Sequence, residues 1–344
     1  MRTVQIPPFD IPDIDMTSVL DRIADLDAAN NMRHAEMRQD VAELRALIEA
    51  LDDEEPPLPP LEQIRGIRTW ASGHGTATDI DARLACFEKA GVNAIHFAVY
   101  WREAYYASEL MESRSFDSLA YVLPRAHDRG MQVFALMPVA CIGWPDYPEW
   151  NARTARGMNE NWLDFTNADA RAFVGNVVAE LSEYDIDGVL LDYIRSKCSV
   201  APSVLPAADI TAMVAGVRNS MPEEMTLAAS VFAGLRWGAG IGAGRNQQDW
   251  YGWLDAGLVD YVCPMAYFES NVEFWDQLDL ALTEWDNSGH FPARIKPRLS
   301  VRRAEVLAHI THCYERGADG MTLWNDHDLC ANTDLVEALG ADGW

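Results

Sequence analysis

The chain has 344 residues, 49% of them hydrophobic and 10% aromatic, which is ample for a large core and excludes a disordered or low-complexity protein. With 53 acidic against 27 basic residues the formal charge is -26, so a nucleic-acid backbone is repelled and no nucleic-acid partner is expected. No apolar run is long enough for membrane insertion, no signal-peptide pattern opens the chain, and six scattered cysteines form neither a zinc framework nor a disulfide scaffold, so free thiols, no metal and no cofactor are expected.

Residues 1–15 carry three prolines, each fixing φ and removing a donor, and predict an extended arm. Across residues 16–52 apolar side chains fall three and four apart: Met16, Val19, Ile23, Leu26, Met37, Leu44, Leu47 and Leu51. So narrow a stripe suits a coiled coil, and Asn30 on its seam would set register. A homo-oligomer through residues 16–51 is expected, a trimer being favoured, with a helix laid across the following domain as the alternative. Residues 53–61, acidic and proline-rich, form a stiff spacer.

In residues 62–344 strand and helix patterns alternate. Strands are predicted at Ile64 to Ala71, Ala94 to Trp101, Gln132 to Val139, Gly188 to Arg195, Thr226 to Ala233, Tyr261 to Phe268, Ile295 to Val301 and Gly320 to Asn325. Amphipathic helices lie between and after them, several stopping on a glycine (Gly91, Gly130, Gly257, Gly317) suited to a left-handed C-terminal turn. Eight such units over about 280 residues make a (β/α)8 TIM barrel. A doubly wound sheet would carry a glycine-rich phosphate turn after its first strand, and Trp70-Ala-Ser-Gly-His-Gly75 lacks that spacing.

Function in such a barrel sits at the strand C-terminal ends. Carboxylates there are Glu103, Asp192, Glu269, Asp326 and Asp328, whereas Asp187 precedes its strand and reads as a turn and capping residue. Asp192 stands out, because an ionised acid in the apolar run Val189-Leu-Leu-Asp-Tyr-Ile194 needs a partner. Alternation places Leu190, Asp192 and Ile194 on the barrel face, and Arg195 is within reach to hold the charge; a buried ion pair without catalysis is the competing reading. Parity also brings Met265, Tyr267 and Glu269 to one face, two strands away, so Asp192 and Glu269 would flank a glycosidic bond, with Asp326 and Glu103 as alternative acids.

Flat rings beside carboxylates suit sugar faces, and aromatics concentrate near strand ends. Tyr100, Trp101, Trp162, Tyr193, Tyr267 and Trp324, with Arg195, are the candidate substrate-binding residues, and half of the wider aromatic set is expected to be structural. Trp250 and Trp253 with Leu254 look like a buried helix face, and glycine-rich residues 234–244 like a loop able to close on a ligand.

The segment Trp162-Leu-Asp-Phe-Thr-Asn-Ala-Asp-Ala-Arg171, then Tyr184-Asp-Ile-Asp-Gly-Val-Leu-Leu-Asp-Tyr-Ile-Arg195, resembles the bacterial glycosyl-hydrolase-like barrel families, including glycosyl-hydrolase-like family ten. Gly257-Leu-Val-Asp-Tyr-Val-Cys-Pro-Met-Ala-Tyr267 continues the likeness, which spans most of residues 64–330. It implies a (β/α)8 barrel acting on polysaccharide, with the family's fourth-strand aspartate at Asp192. Ser196-Lys-Cys-Ser199 departs from the family's usual Tyr-Pro. An arm, a coil, a spacer and a saccharide barrel together have the layout of a virion or tail-like appendage, made in the cytoplasm, with the arm docking onto the particle. The expected function is a glycoside hydrolase of a cell-surface or capsular polysaccharide. Alternatives are a non-catalytic adsorption barrel for the function and a cytoplasmic protein for the location.

Overall fold

The computed structural model describes residues 63–70, 75–141, 147–153, 159–197, 205–234, 246–267, 274–291, 293–342 and 344. The expected arm, coiled coil and spacer lie outside them, as do Glu269 and nearly all of residues 234–244.

Eight parallel strands close on themselves in sequence order: β1 (Arg65–Arg68), β2 (Ala94–Ala98), β3 (Gln132–Pro138), β4 (Gly188–Asp192), β5 (Thr226–Phe232), β6 (Tyr261–Ala266), β7 (Arg298–Ser300) and β8 (Met321–Trp324), which pairs back onto β1. Between and after them run helices α1 (Ala77–Lys89), α2 (Ser118–His127), α3 (Ala168–Leu181), α4 (Ala207–Asn219), α5 (Trp250–Asp255), α6 (Phe274–Asp286), α7 (Val306–Glu315), α8 (Asp326–Cys330) and α9 (Thr333–Asp342). This is the (β/α)8 barrel expected from the alternation. Gly91, Gly130, Gly257 and Gly317 all adopt positive φ just past a helix, as their spacing predicts. None of the described helices is long and apolar enough to cross a membrane.

Strand parity divides the apolar residues. Phe134, Leu136, Leu190, Ala228, Tyr261 and Cys263 fill the barrel, while Val133, Val189, Leu191, Leu227 and Val262 pack outward with the helices. Gly188 is part of that inner packing: a Cβ there would sit 2.8 Å from the Phe134 ring. Trp250, Trp253 and Leu254 are buried, as the helix-face reading holds.

Three of the predicted strands are shortened for a local reason. After Ala98 the chain turns into a small hairpin, Tyr100–Trp101 with Glu103–Ala104, through Arg102 at φ 67°. Strand β4 stops at Asp192 because Tyr193 takes φ 55°, so alternation fails there and Ile194 packs with the outer core instead of the barrel face. Pro297 has no N–H for the ladder, which reduces the seventh strand to three residues.

A repeated device closes the N-terminal end. The residue just before β2, β4 and β6 accepts a backbone N–H at the start of the preceding strand: Asn93 from Arg65, Asp187 from Val133 and Asp260 from Leu227, each at 2.7 Å. Before β8, Asp319, one residue further from its strand, pairs with the buried Lys296. Asp187 is thus the structural residue its position suggests.

The expectation of free thiols fails for one pair. Cys86 of α1 and Cys330 of α8 form a disulfide across 244 residues of sequence, with Cα atoms 5.9 Å apart. Closure of the barrel places the last helices beside the first, a proximity that sequence spacing does not show. Cys141, Cys263 and Cys313 are free thiols.

Candidate active site at the barrel mouth

Asp192 ends β4 at the C-terminal mouth and is 5% exposed. Its Oδ2 accepts from Arg68 Nη2 at 3.0 Å and its Oδ1 from the Tyr193 N–H at 2.9 Å. Burial alone pushes this carboxyl up, but the guanidiniums of Arg68 and Arg298 and these two hydrogen bonds outweigh it and hold it below the usual carboxylate range. Asp192 is therefore an anion at neutral pH. Its ionic partner comes from β1, whereas sequence proximity suggested Arg195. Arg195 instead donates to the Ser196 carbonyl and stacks over Trp162, with its carbon centre 4.7 Å from the ring.

Below Asp192 lies a polar layer that a search for carboxylates alone does not find. Arg298, 1% exposed, donates to Thr322 Oγ1 at 2.9 Å and Ser230 Oγ at 2.7 Å, and its Nη2 lies 2.9 Å from His96 Nδ1. His96 Nε2 lies 3.0 Å from the Tyr261 hydroxyl. Burial, with Arg298 and Arg68 adding to it, keeps the His96 pKa well below its ordinary value, so the imidazole is neutral. The signal for these residues was parity: Arg68, His96 and Arg298 are charged or polar residues at inward positions of their strands.

Aromatic rings surround this centre. Trp162 sits in a second hairpin, Asn151–Arg153 with Asn159–Leu163; its indole N–H donates to the Arg195 carbonyl at 2.9 Å and its ring meets Tyr193 edge-on. Tyr267 and Trp324 lie with centroids 5.1 Å apart, and Arg302 covers Trp324. Trp70 lies under Arg68 and edge-on to Trp101, which is 39% exposed. Burial, then the charge of Asp192, pushes the Tyr193 hydroxyl and the nearby Cys141 thiol up to about 12, so neither is a nucleophile at neutral pH. The Tyr100 side chain is buried in the hydrophobic core.

The candidate acids differ in setting. Asp326 is fully buried at the start of α8, ion-paired with Arg83 and accepting the Trp70 N–H at 3.1 Å; burial raises its pKa and Arg83 partly offsets this. Glu103, partly exposed on the first hairpin, pairs with Arg114 at 3.0 Å. Asp328 pairs with Arg302 and Asn325. Among the described residues no group of three or more His, Cys, Asp or Glu could hold a metal ion.

No protein-family model matches the sequence, and no curated protein sequence does. Solved structures do match. The endo-β-1,4-mannanase of Thermotoga petrophila superposes with a TM-score of 0.59, covering 81% of this chain and 76% of that one at 11% identity. For the endo-1,4-β-mannanase of Rhizomucor miehei the TM-score is 0.55, with 84% and 97% covered at 9% identity. The β-amylase catalytic domain of Paenibacillus polymyxa gives 0.55, with 78% and 93% covered at 10% identity. At these identities the likeness establishes the fold, a closed barrel resembling those of glycoside hydrolases.

Proposed function

We propose that the barrel is a glycoside hydrolase acting on a polysaccharide, with Asp192 as its anionic carboxylate and Glu269 as the proton donor. The observation that carries this reading is Asp192 itself: a buried carboxylate held ionised at a strand C-terminal end, beneath a rim of aromatic rings. A depressed pKa suits the nucleophile or base and not the acid, so the two roles divide between different residues. Glu269 shares strand parity with Tyr267 and carries the acid role in this proposal. Asp326, engaged by Arg83 and a backbone N–H, and Glu103, out on its hairpin, rank behind it. Tyr193, Tyr267, Trp101, Trp162 and Trp324 would supply sugar-facing surface, with Arg195 bracing Trp162; Tyr100, buried, would support the hairpin.

The test is Asp192→Asn, assayed on bacterial capsular polysaccharides by reducing-end release alongside circular dichroism. Loss of activity in a folded protein supports the proposal, and full-rate cleavage sinks it. Glu269→Gln should hurt natural glycans far more than aryl glycosides, whose leaving groups need little protonation; an equal loss on both moves the acid role to Asp326 or Glu103. One observation favours a second reading, an adsorption barrel that binds without cutting: both Asp192 oxygens already have protein donors, as in a structural ion pair. Saturable glycan binding with no product from any polysaccharide would select it.

The N-terminal residues complete the proposal. Residues 16–51 would assemble the chain as a trimer and residues 1–15 dock it on a virion or tail-like particle. The Cys86–Cys330 disulfide supports work outside the reducing cytosol. Light scattering on the full chain and on a chain beginning at Leu61 should give different masses per particle; equal, monomeric masses refute the coil.

A further inference from the structure

The barrel mouth carries more positive charge than its described carboxylates balance. Arg68 is 4% exposed, and among the described residues only one arm of its guanidinium is used: Nη2 donates to Asp192, while Nη1 is buried and finds no acceptor there. A buried cationic N–H left unmatched is costly, which makes each such group in a folded protein a question about ligands. Arg298, deeper in the same mouth, hydrogen-bonds to Thr322, Ser230 and His96, all uncharged. Among the described buried carboxylates near them, Asp326 is matched by Arg83. Among the described residues two guanidiniums therefore face the single charge of Asp192, in a chain whose overall charge is -26. The local surplus runs against the composition of the whole molecule.

We propose that Arg68, through Nη1, binds the carboxylate of an acidic sugar, so that the saccharide taken at this mouth is a uronate or similarly carboxylated residue. The inference rests on the saccharide reading above and narrows it. A neutral hydroxyl would accept the Nη1 hydrogen bond and leave the charge surplus in place; a carboxylate answers both. Trp70, whose ring centroid lies 4.1 Å from the Arg68 guanidinium carbon, packs against the fork and limits its movement.

The full chain is titrated by calorimetry with glucuronate and galacturonate, with their uncharged amides, and with acetate. The uronates should bind about tenfold tighter than the amides, the worth of one charge-assisted hydrogen bond. Arg68→Lys keeps a cation for Asp192 and removes the second arm, and should abolish that ratio. Equal binding of uronate and amide overturns the acidic-sugar proposal and leaves the saccharide reading standing. Acetate binding as tightly as uronate shows a bare anion site and overturns both, as does absence of binding by every probe. The comparison of uronate with amide needs no variant, so a misfolded Arg68→Lys protein leaves the proposal testable.

Discussion

At the N-terminal end of the barrel, Asn93, Asp187 and Asp260 each secure a neighbouring strand through a backbone N–H, and Asp319 neutralises Lys296. At the C-terminal end Asp192 meets Arg68, whose Nη1 has no acceptor among the described residues, and Arg298 hydrogen-bonds to neutral groups. The same residue types thus close one end of the molecule and leave unused hydrogen-bonding capacity at the other. Polar groups spent wholly on the chain's own partners serve stability; groups left with a free donor are available to a ligand.

That contrast can be broken by exchanging carboxylates. Asp192→Asn should lower hydrolysis about a thousandfold or more, measured per folded molecule, because the charge that the site is arranged around is gone. Asp260→Ala should leave activity per folded molecule unchanged and cost about 3 kcal/mol in urea unfolding, since the Leu227 N–H loses its acceptor and Arg218 its ionic partner. A large activity loss in the second variant with no stability change would erase the distinction between the ends.

Acid should act on the mouth from beneath. His96 is neutral in the fold and, unfolded, titrates near a pKa of about 6.5, so below that pH the unfolded chain binds the extra proton and stability falls as pH falls. His309, which burial pushes down to about 4, adds to the same slope until that pH is reached. Unfolding free energy followed from neutral to mildly acidic pH should decline by up to about 1.4 kcal/mol per pH unit per histidine, and His96→Gln should flatten the curve. An unchanged slope would show that His96 is not the group titrating. Asp192, with its lowered pKa, loses its stabilising charge only below the ordinary carboxylate range. The smallest expected effect belongs to Trp101→Ala: saccharide binding several-fold weaker, with stability within about 0.5 kcal/mol of the parent.

The barrel was readable because each strand carries its own apolar signal and several units their own glycine stop, all local in sequence. Asp192 was readable for the same reason, as a charge inside an apolar run. Arg68 and Arg298 were missed because strand-end carboxylates alone were sought, although Ile67-Arg68-Thr69 and Pro297-Arg298-Leu299 place a charge at inward parity just as visibly. The asparagine and aspartates before the even strands were also visible in the text, yet what they accept lies on a different strand about 30 to 55 residues away, known only once register is known. Glu269 is a reading of parity past the end of β6, where the alternation that carries it already depends on a strand continuing. At Tyr193, one residue beyond β4, it did not continue.

The Cys86–Cys330 bond bears on what happens when the protein is cut. It encloses every strand from β2 to β8, so a single protease nick in any loop between those cysteines yields two pieces that remain one covalent molecule. On a gel without reductant such a nicked chain migrates near full length and separates into fragments only when reduced. The longest connections follow the C-terminal ends of the strands, and a cut in one of them need not release either half of the barrel.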